Sequence, residues 1–256
     1  MSKRLIDVFL NNIALSSVHD RIIAVRVLEQ PQEDEITYEQ IGNMPGRRIA
    51  SKKRRELNIT VKLKVRELYD MTERMNVINA VNTWAVNGGT MRVSYHGQKT
   101  LNVQLTKPAA PNDIRDYNTE IELVFTSDGW PYWLDEHSSN HQSAGASGSA
   151  LLEIAGSAPA LIDTAVYVIQ PITYLYIQIA NSRVKLTNLN VPSGGYITIT
   201  HDNYGIMSVM YAGNSLYGHL SDDSDDRLIT NGGFADASFE TNGDIEIYYT
   251  MRGRWM

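Results

Sequence analysis

The chain has 256 residues, 43% hydrophobic and 20% charged, with 23 Lys and Arg against 29 Asp and Glu for a formal net charge of -6. These are the proportions of a globular protein, and the absence of cysteine excludes disulfides, thiolate metal sites and a cysteine nucleophile. At about 100–200 residues per domain, the length allows one large domain or two modest ones.

The opening "MSKRLIDVFLNN" is an apolar run broken by Asp7, unlike a secretory h-region. No stretch approaches the ~20 apolar residues of a membrane span, so a soluble chain without a cleaved leader is expected. "RIIAVRVLEQ" reads as a strand. A long polar loop follows, Pro31 to Lys53, and runs into the basic stretch "GRRIASKKRREL", Gly46 to Leu57. Next, Leu57, Ile59, Val61, Leu63 and Val65 alternate with Asn58, Thr60, Lys62 and Lys64, the period of a half-buried strand. Apolar residues at Leu68, Met71, Met75, Ile78, Val81 and Ala85 then recur in steps of three and four, which predicts a helix capped by Asp70 and ended by Gly88–Gly89. "MRVSY" and "LNVQLT" flank "HGQK" as a hairpin. In "TEIELVFT", Ile121, Leu123 and Phe125 oppose Glu120, Glu122 and Thr126. Strands with one helix against them make an α+β first unit.

After the aromatic stop "DGWPYWLDE", the segment "HSSNHQSAGASGSA" is rich in Ser, Gly and Ala and predicts a flexible linker. Seven β-type segments follow, from "ALLEIAG" to "DIEIYYTM", separated by Asn, Gly, Pro and Ser turns. This spacing predicts an all-β sandwich. The expected division is 1–136, a linker at 137–149, and 150–256. Charge agrees: residues 1–136 hold 18 Lys and Arg and 18 Asp and Glu, whereas 137–256 hold 5 and 11.

No pattern makes a case for catalysis. The six histidines, His19, His96, His137, His141, His201 and His219, form no HExxH. His137 and His141 lack the helix that would fix a metal geometry. "SDDSDD", Ser221 to Asp226, lacks the spacing of a calcium loop and reads as a solvated acidic loop. GxSxG, P-loop and dinucleotide signatures are absent, and Glu120 and Glu122 read as surface charges. The basic cluster suits phosphates, but no aromatic lies within it for base stacking, and Glu33, Asp34, Glu35 and Glu39 stand just upstream. Sandwich domains bind glycans through aromatic faces, for which Tyr174, Tyr176, Tyr196 and Tyr211 are the candidates. Alternating tyrosines also serve as strand packing.

The order of these pieces resembles the distal tail proteins of long-tailed, non-contractile bacteriophages of Gram-positive hosts. The resemblance rests on the loop "MPGRRIASKKRREL", the strand "LNITVKLKV", a helix before a hairpin, "IELVFTSDGWPYW", a Ser/Gly segment, a sandwich, and the ending "GDIEIYYTMRGRWM". It implies a mainly β protein. Its N-terminal part is a tail-tube-like β-sandwich or split barrel with one α-helix, and its C-terminal part a galectin-like or carbohydrate-binding-module-like sandwich; the last residues would pack on the first domain. It further implies a homo-hexameric ring at the virion tail tip, assembled in the host bacterial cytoplasm. That ring joins the tail tube protein to the tail-associated hub protein, offers sites for receptor-binding protein, and meets DNA only in transit. Neither enzyme activity nor a cofactor is implied.

On this reading Arg47, Arg48, Lys52, Lys53, Arg54 and Arg55 make subunit or tube contacts, with the acidic and basic parts of the loop meeting between neighbours in a head-to-tail ring. Trp130, Pro131, Tyr132 and Trp133 anchor the end of the first domain. The rival reading is a protein that contacts host cell-surface glycan through its C-terminal sandwich.

Overall fold

A computed structural model describes residues 6–30, 34–40, 47–66, 70–110 and 120–255, apart from the side chains of Arg47, Lys52, Lys53, Glu136 and His137. The chain divides into two compact units, Met1–Pro131 and Tyr132–Met256.

The first unit contains β1 (Val8–Leu10), β2 (Ile13–Ala14), β3 (Ile22–Glu29), β4 (Asp34–Gln40), β5 (Arg47–Arg54), β6 (Asn58–Val65), α1 (Met71–Ala85), β7 (Gly89–Val93), β8 (Lys99–Lys107) and β9 (Glu120–Ser127). Antiparallel pairing runs in the order β3, β6, β9, β8, β7, β1, β2. The alternation at 57–65 does what its period dictates: Ile59, Val61 and Leu63 are fully buried, as are Leu123 and Phe125 across on β9. On the opposite face Glu122 reaches both Lys62 on β6 (3.2 Å) and Lys107 on β8 (2.9 Å).

Asp70 caps α1 by accepting a hydrogen bond from the Thr72 amide at 3.0 Å. The helix is pinned to the sheet by the edge of Trp84 against Phe125, with centroids 6.1 Å apart, and by Trp84 Nε1 donating to the Ile13 carbonyl. Asn82 exchanges two hydrogen bonds with the Ala109 backbone. The buried stripe is Arg74, Val77, Ile78, Val81 and Ala85. Met71 is 41% exposed and Met75 only half-buried, so both lie off the stripe expected to contain them. Val77 and Arg74 take buried positions in their place, beside the expected Ile78, Val81 and Ala85; Leu68 lies outside the described residues. The expected stop holds. Gly88 has φ +58, and a Cβ there would stand 2.3 Å from the Val103 carbonyl oxygen.

The second unit contains β10 (Trp133–Ile154), β11 (Ala160–Val168), β12 (Leu175–Ile179), β13 (Ser182–Leu186), β14 (Tyr196–His201), β15 (Met207–Tyr211), β16 (Asn214–Ser215), β17 (Ile229–Thr230) and β18 (Gly233–Trp255). β10 and β18 pair along their length, from Trp133 opposite Trp255 to Ile154 opposite Gly233. The register jumps midway: Gly145 faces Ile245, but Ser147 faces Glu240. Beyond the jump, the C-terminal half of β18 pairs with β11, which continues to β14, β15 and β16. Its N-terminal half pairs with β12, which continues to β13. One ribbon thus serves two sheets, and their inner faces share a core that includes Val166, Ile177, Val184, Ile199 and Ile247.

This corrects the expected linker. Residues 137–149 lie within β10, and the boundary falls between Pro131 and Tyr132, not after residue 136. The small residues are accommodated by pairing: Gly148 sits opposite Phe239, and a Cβ at 148 would come within 2.7 Å of the Phe239 ring. Flexible composition becomes a strand because a distant segment supplies both its hydrogen bonds and its bulk.

Elastase, which cuts beside small residues, is therefore expected to leave 144–150 intact until global unfolding. Gly148→Val overpacks the site and should lower stability by about 1–3 kcal/mol in urea denaturation; cleavage of the native protein there would support a linker instead. A second expectation concerns Glu122, whose carboxyl is held below the usual range by hydrogen bonds from Lys107 and Lys62. A depressed carboxyl stabilises above its unfolded pKa of about 4.3, and that contribution is lost as pH falls through the folded value. Glu122→Gln should cost less than ~1 kcal/mol at pH 7, given partial exposure, and the difference from wild type should vanish in strong acid.

Candidate functional site

β3 and β6 are direct neighbours in the sheet, yet the chain between them leaves it. Its two ends are tied down. The Gln30 amide donates to the Asn58 carbonyl at 3.1 Å, and the Leu57 amide donates to Ser127 Oγ at 3.0 Å. At the base, Glu29 receives the Tyr95 hydroxyl and meets His96 Nε2 at 2.6 Å. Partial burial of the Tyr95 ring, together with this carboxylate, pushes its phenol above its ordinary value.

Between these ties β4 and β5 form a separate two-stranded antiparallel sheet, an arm. The expected long loop is thus in large part a hairpin. The signal was present in "DEITYEQ", where Ile36 and Tyr38 alternate with Glu35, Thr37 and Glu39. Registry places Asp34 opposite Arg54, Glu35 opposite Lys53, Ile36 opposite Lys52, Tyr38 opposite Ile49, Glu39 opposite Arg48 and Gln40 opposite Arg47, with a register shift after Thr37.

Charge and apolar character are sorted along this arm. Arg54 Nη1 lies 2.9 Å from Asp34, both largely shielded from solvent. Arg48 grips Glu39 Oε2 through Nε (3.0 Å) and Nη2 (2.8 Å), in the open. The acidic and basic parts therefore meet within one chain, which corrects the expectation that they meet only between subunits; strand registry pairs them before any neighbour is involved. Arg55 is exposed just past β5. The backbones of Arg47, Lys52 and Lys53 lie on β5, and their side chains fall outside the described residues.

Ile36, Tyr38 and Ile49 share one face, at 38%, 53% and 56% exposure. Two-stranded hairpins are marginal alone, and exposed apolar strands invite pairing with another chain. The arm has the chemistry of a protein contact: an apolar row whose basic strand is already aligned by ion pairs.

The other candidates are scattered. Trp133, only 1% exposed, opens β10, and Tyr132 lies beside Arg254 in the same unit. Trp130 and Pro131 end the first unit, so the four-residue anchor is split by the boundary. Burial pushes the Arg254 guanidinium down to about 10, opposed by the charges of Tyr132 and Asp163. Of the four tyrosines weighed for glycan, Tyr174 donates to Glu240, Tyr176 donates to Gln178, Tyr211 packs on the core and Tyr196 alone stands 51% exposed. The acidic loop is structural: Asp225 accepts from the Arg183 amide, the Asp223 carbonyl accepts from Arg183 Nε, and Asp226 holds Arg227. Among the described residues no three His, Asp or Glu converge as a metal site, and no helix is long and apolar enough to cross a membrane.

No protein-family model and no curated protein matches the sequence. Among solved structures, the chain is similar to the Dit protein (gp 19.1) of SPP1, described as a paradigm of the hub adsorption apparatus in phages infecting Gram-positive bacteria. That match has a TM-score of 0.72 and 13% identity, and covers 99% of this chain and 100% of that one. The phage P2 baseplate in its activated conformation, with Ca or with Sr, gives TM-scores of 0.40 and 0.38 at 10% identity, over 88% of this chain and 90% of that chain. The chain therefore has the fold of SPP1 Dit, mainly β with one helix, from end to end.

The two ion pairs of the arm differ in shielding, so their removal should differ too. Arg54→Ala is expected to speed amide exchange across β4 and β5 markedly, because it leaves Asp34 shielded. Arg48→Ala, at an exposed pair worth about 0–1 kcal/mol, should change it little. Equal effects in hydrogen–deuterium exchange would contradict this assignment.

Proposed function

We propose that this protein is a structural hub of a phage tail tip. The observation that carries the reading is the end-to-end likeness to SPP1 Dit, the hub of an adsorption apparatus. Its work is assembly rather than reaction. Six copies close a ring that docks on the tail tube protein, receives the tail-associated hub protein below, and lets DNA pass. The second unit, read as a galectin-like sandwich, supplies attachment sites for receptor-binding protein.

The arm supports this reading from the chain's own physics. In a head-to-tail ring each subunit offers two different surfaces, and an arm leaving the sheet between paired strands is suited to lie across a neighbour. There the row Ile36, Tyr38 and Ile49 would be covered, and the positive charge of β5 and Arg55 would meet an acidic surface. Arg48 and Arg54 contribute by holding the arm straight. A basic arm already engaged with protein leaves the channel wall weakly adhesive, as transit of DNA requires.

Light scattering after size exclusion, followed by negative-stain imaging with tube protein, should show rings of six copies. Replacing Lys52, Lys53, Arg54 and Arg55 with Glu, or Tyr38 and Ile49 with Asp, should abolish ring closure or tube docking while the far-ultraviolet spectrum stays that of a β protein. Normal rings from both variants would remove the arm from the interface. A strict monomer in the presence of tube protein would remove the hub reading itself.

A further inference from the structure

We propose that the outer face of the sheet formed by β14, β11 and the adjoining halves of β18 and β10 binds a neutral polysaccharide chain. Val166, Ile197 and Ile247 point into the core and are fully buried, so the residues alternating with them point outward. Three of these are tyrosines on three adjacent strands. Tyr196 on β14 is registered directly opposite Tyr167 on β11, and Tyr167 is registered opposite Glu246 on β18, two residues before Tyr248. Tyr167 and Tyr196 are 42% and 51% exposed. At about 4.8 Å between strands, the three rings span roughly 10 Å across the sheet, a length matching a short run of sugar rings.

The polar groups around them suit hydroxyls. The Tyr248 hydroxyl donates to Glu246 at 2.7 Å and accepts from Gln142 Nε2 at 3.1 Å, across on β10. Its hydrogen bond to the Glu246 carboxylate raises the Tyr248 phenol above its ordinary value. This small network holds Tyr248 in place and leaves the amide oxygen of Gln142 and the second carboxylate oxygen of Glu246 as acceptors among the described residues. A pyranose presents an apolar C–H face to an aromatic ring and hydroxyls at its rim, and tyrosine offers the matching apolar body with a polar tip.

Charge selects within this class. Glu246 lies in the face, and residues 137–256 carry 5 Lys and Arg against 11 Asp and Glu, so a polyanionic polymer would be repelled. A neutral chain meets no such penalty. These residues are not the four tyrosines nominated from sequence; only Tyr196 is common to both sets. The site also asks nothing of the arm, so it stands apart from the hub reading.

The test uses the full chain. Isothermal titration with cellohexaose, chitohexaose and maltohexaose should show binding of at least one. Tyr167→Thr and Tyr196→Thr, which keep β-branched residues in the strands, should each weaken it at least tenfold with unchanged thermal melting. Tyr248→Phe, which keeps the ring and removes the hydroxyl, should weaken it severalfold. Poly(glycerol phosphate) should not bind. The proposal is overturned if none of the three hexasaccharides binds at millimolar concentration, if binding survives both threonine variants, or if the polyanion binds with the same tyrosine dependence. Ring formation by the threonine variants is expected to be normal, so failure here and failure of the hub reading give different results.

Discussion

The pairing of β10 with β18 is the constraint on which the second unit rests. Neither strand could be stable by composition alone. β10 is largely Ser, Ala and Gly through 138–150, and β18 is interrupted by Thr241–Asp244 at the register jump. Paired, they become a ribbon whose two halves belong to two sheets, and every other strand of the unit is placed by reference to one half or the other. Gly243 shows how tight the jump is: a Cβ there would stand 2.8 Å from the Pro171 carbonyl oxygen. The core that fills the space between the sheets depends on this turn of the ribbon, because inward residues on both sides of it, Phe239 and Ile245, are buried in the same cluster.

The first unit solves a different problem. Its sheet is continuous around β6 and β9, α1 packs Trp84 against Phe125 of β9, and a hydrogen-bonded neck projects the arm from between β3 and β6. Glu29 with Tyr95 and His96, Gln30 with Asn58, and Leu57 with Ser127 fix where the arm starts and ends. Within the arm, the registry of β4 and β5 brings Arg48 to Glu39 and Arg54 to Asp34. An exposed apolar row on a hairpin with no core of its own is costly in a monomer and favourable in a contact.

What could be read from sequence followed the range of the forces involved. The strand at 57–65, the opposed strand at 120–126, the Asp70 cap and the Gly88–Gly89 stop are written in neighbouring residues, and each is present. The helix stripe was displaced because the sheet, not the helix, decides which of Met75 and Val77 faces inward. The strand through 137–149 carries no local signal because the partner of Gly148 is Phe239, far along the chain. The arm is masked in sequence because charges surround the alternation of Ile36 and Tyr38, and only strand registry shows Asp34 with Arg54 and Glu39 with Arg48 to be paired. The exposed tyrosine face could not be found by spacing, since Tyr167, Tyr196 and Tyr248 come from three separate segments.

The ribbon has a further consequence. Because Trp133 is registered opposite Trp255, the second unit begins and finishes at the same place. With its two ends side by side, the unit could be cut at an exposed turn and its old ends joined by a short bridge, and the β10–β18 ribbon would keep its pairing.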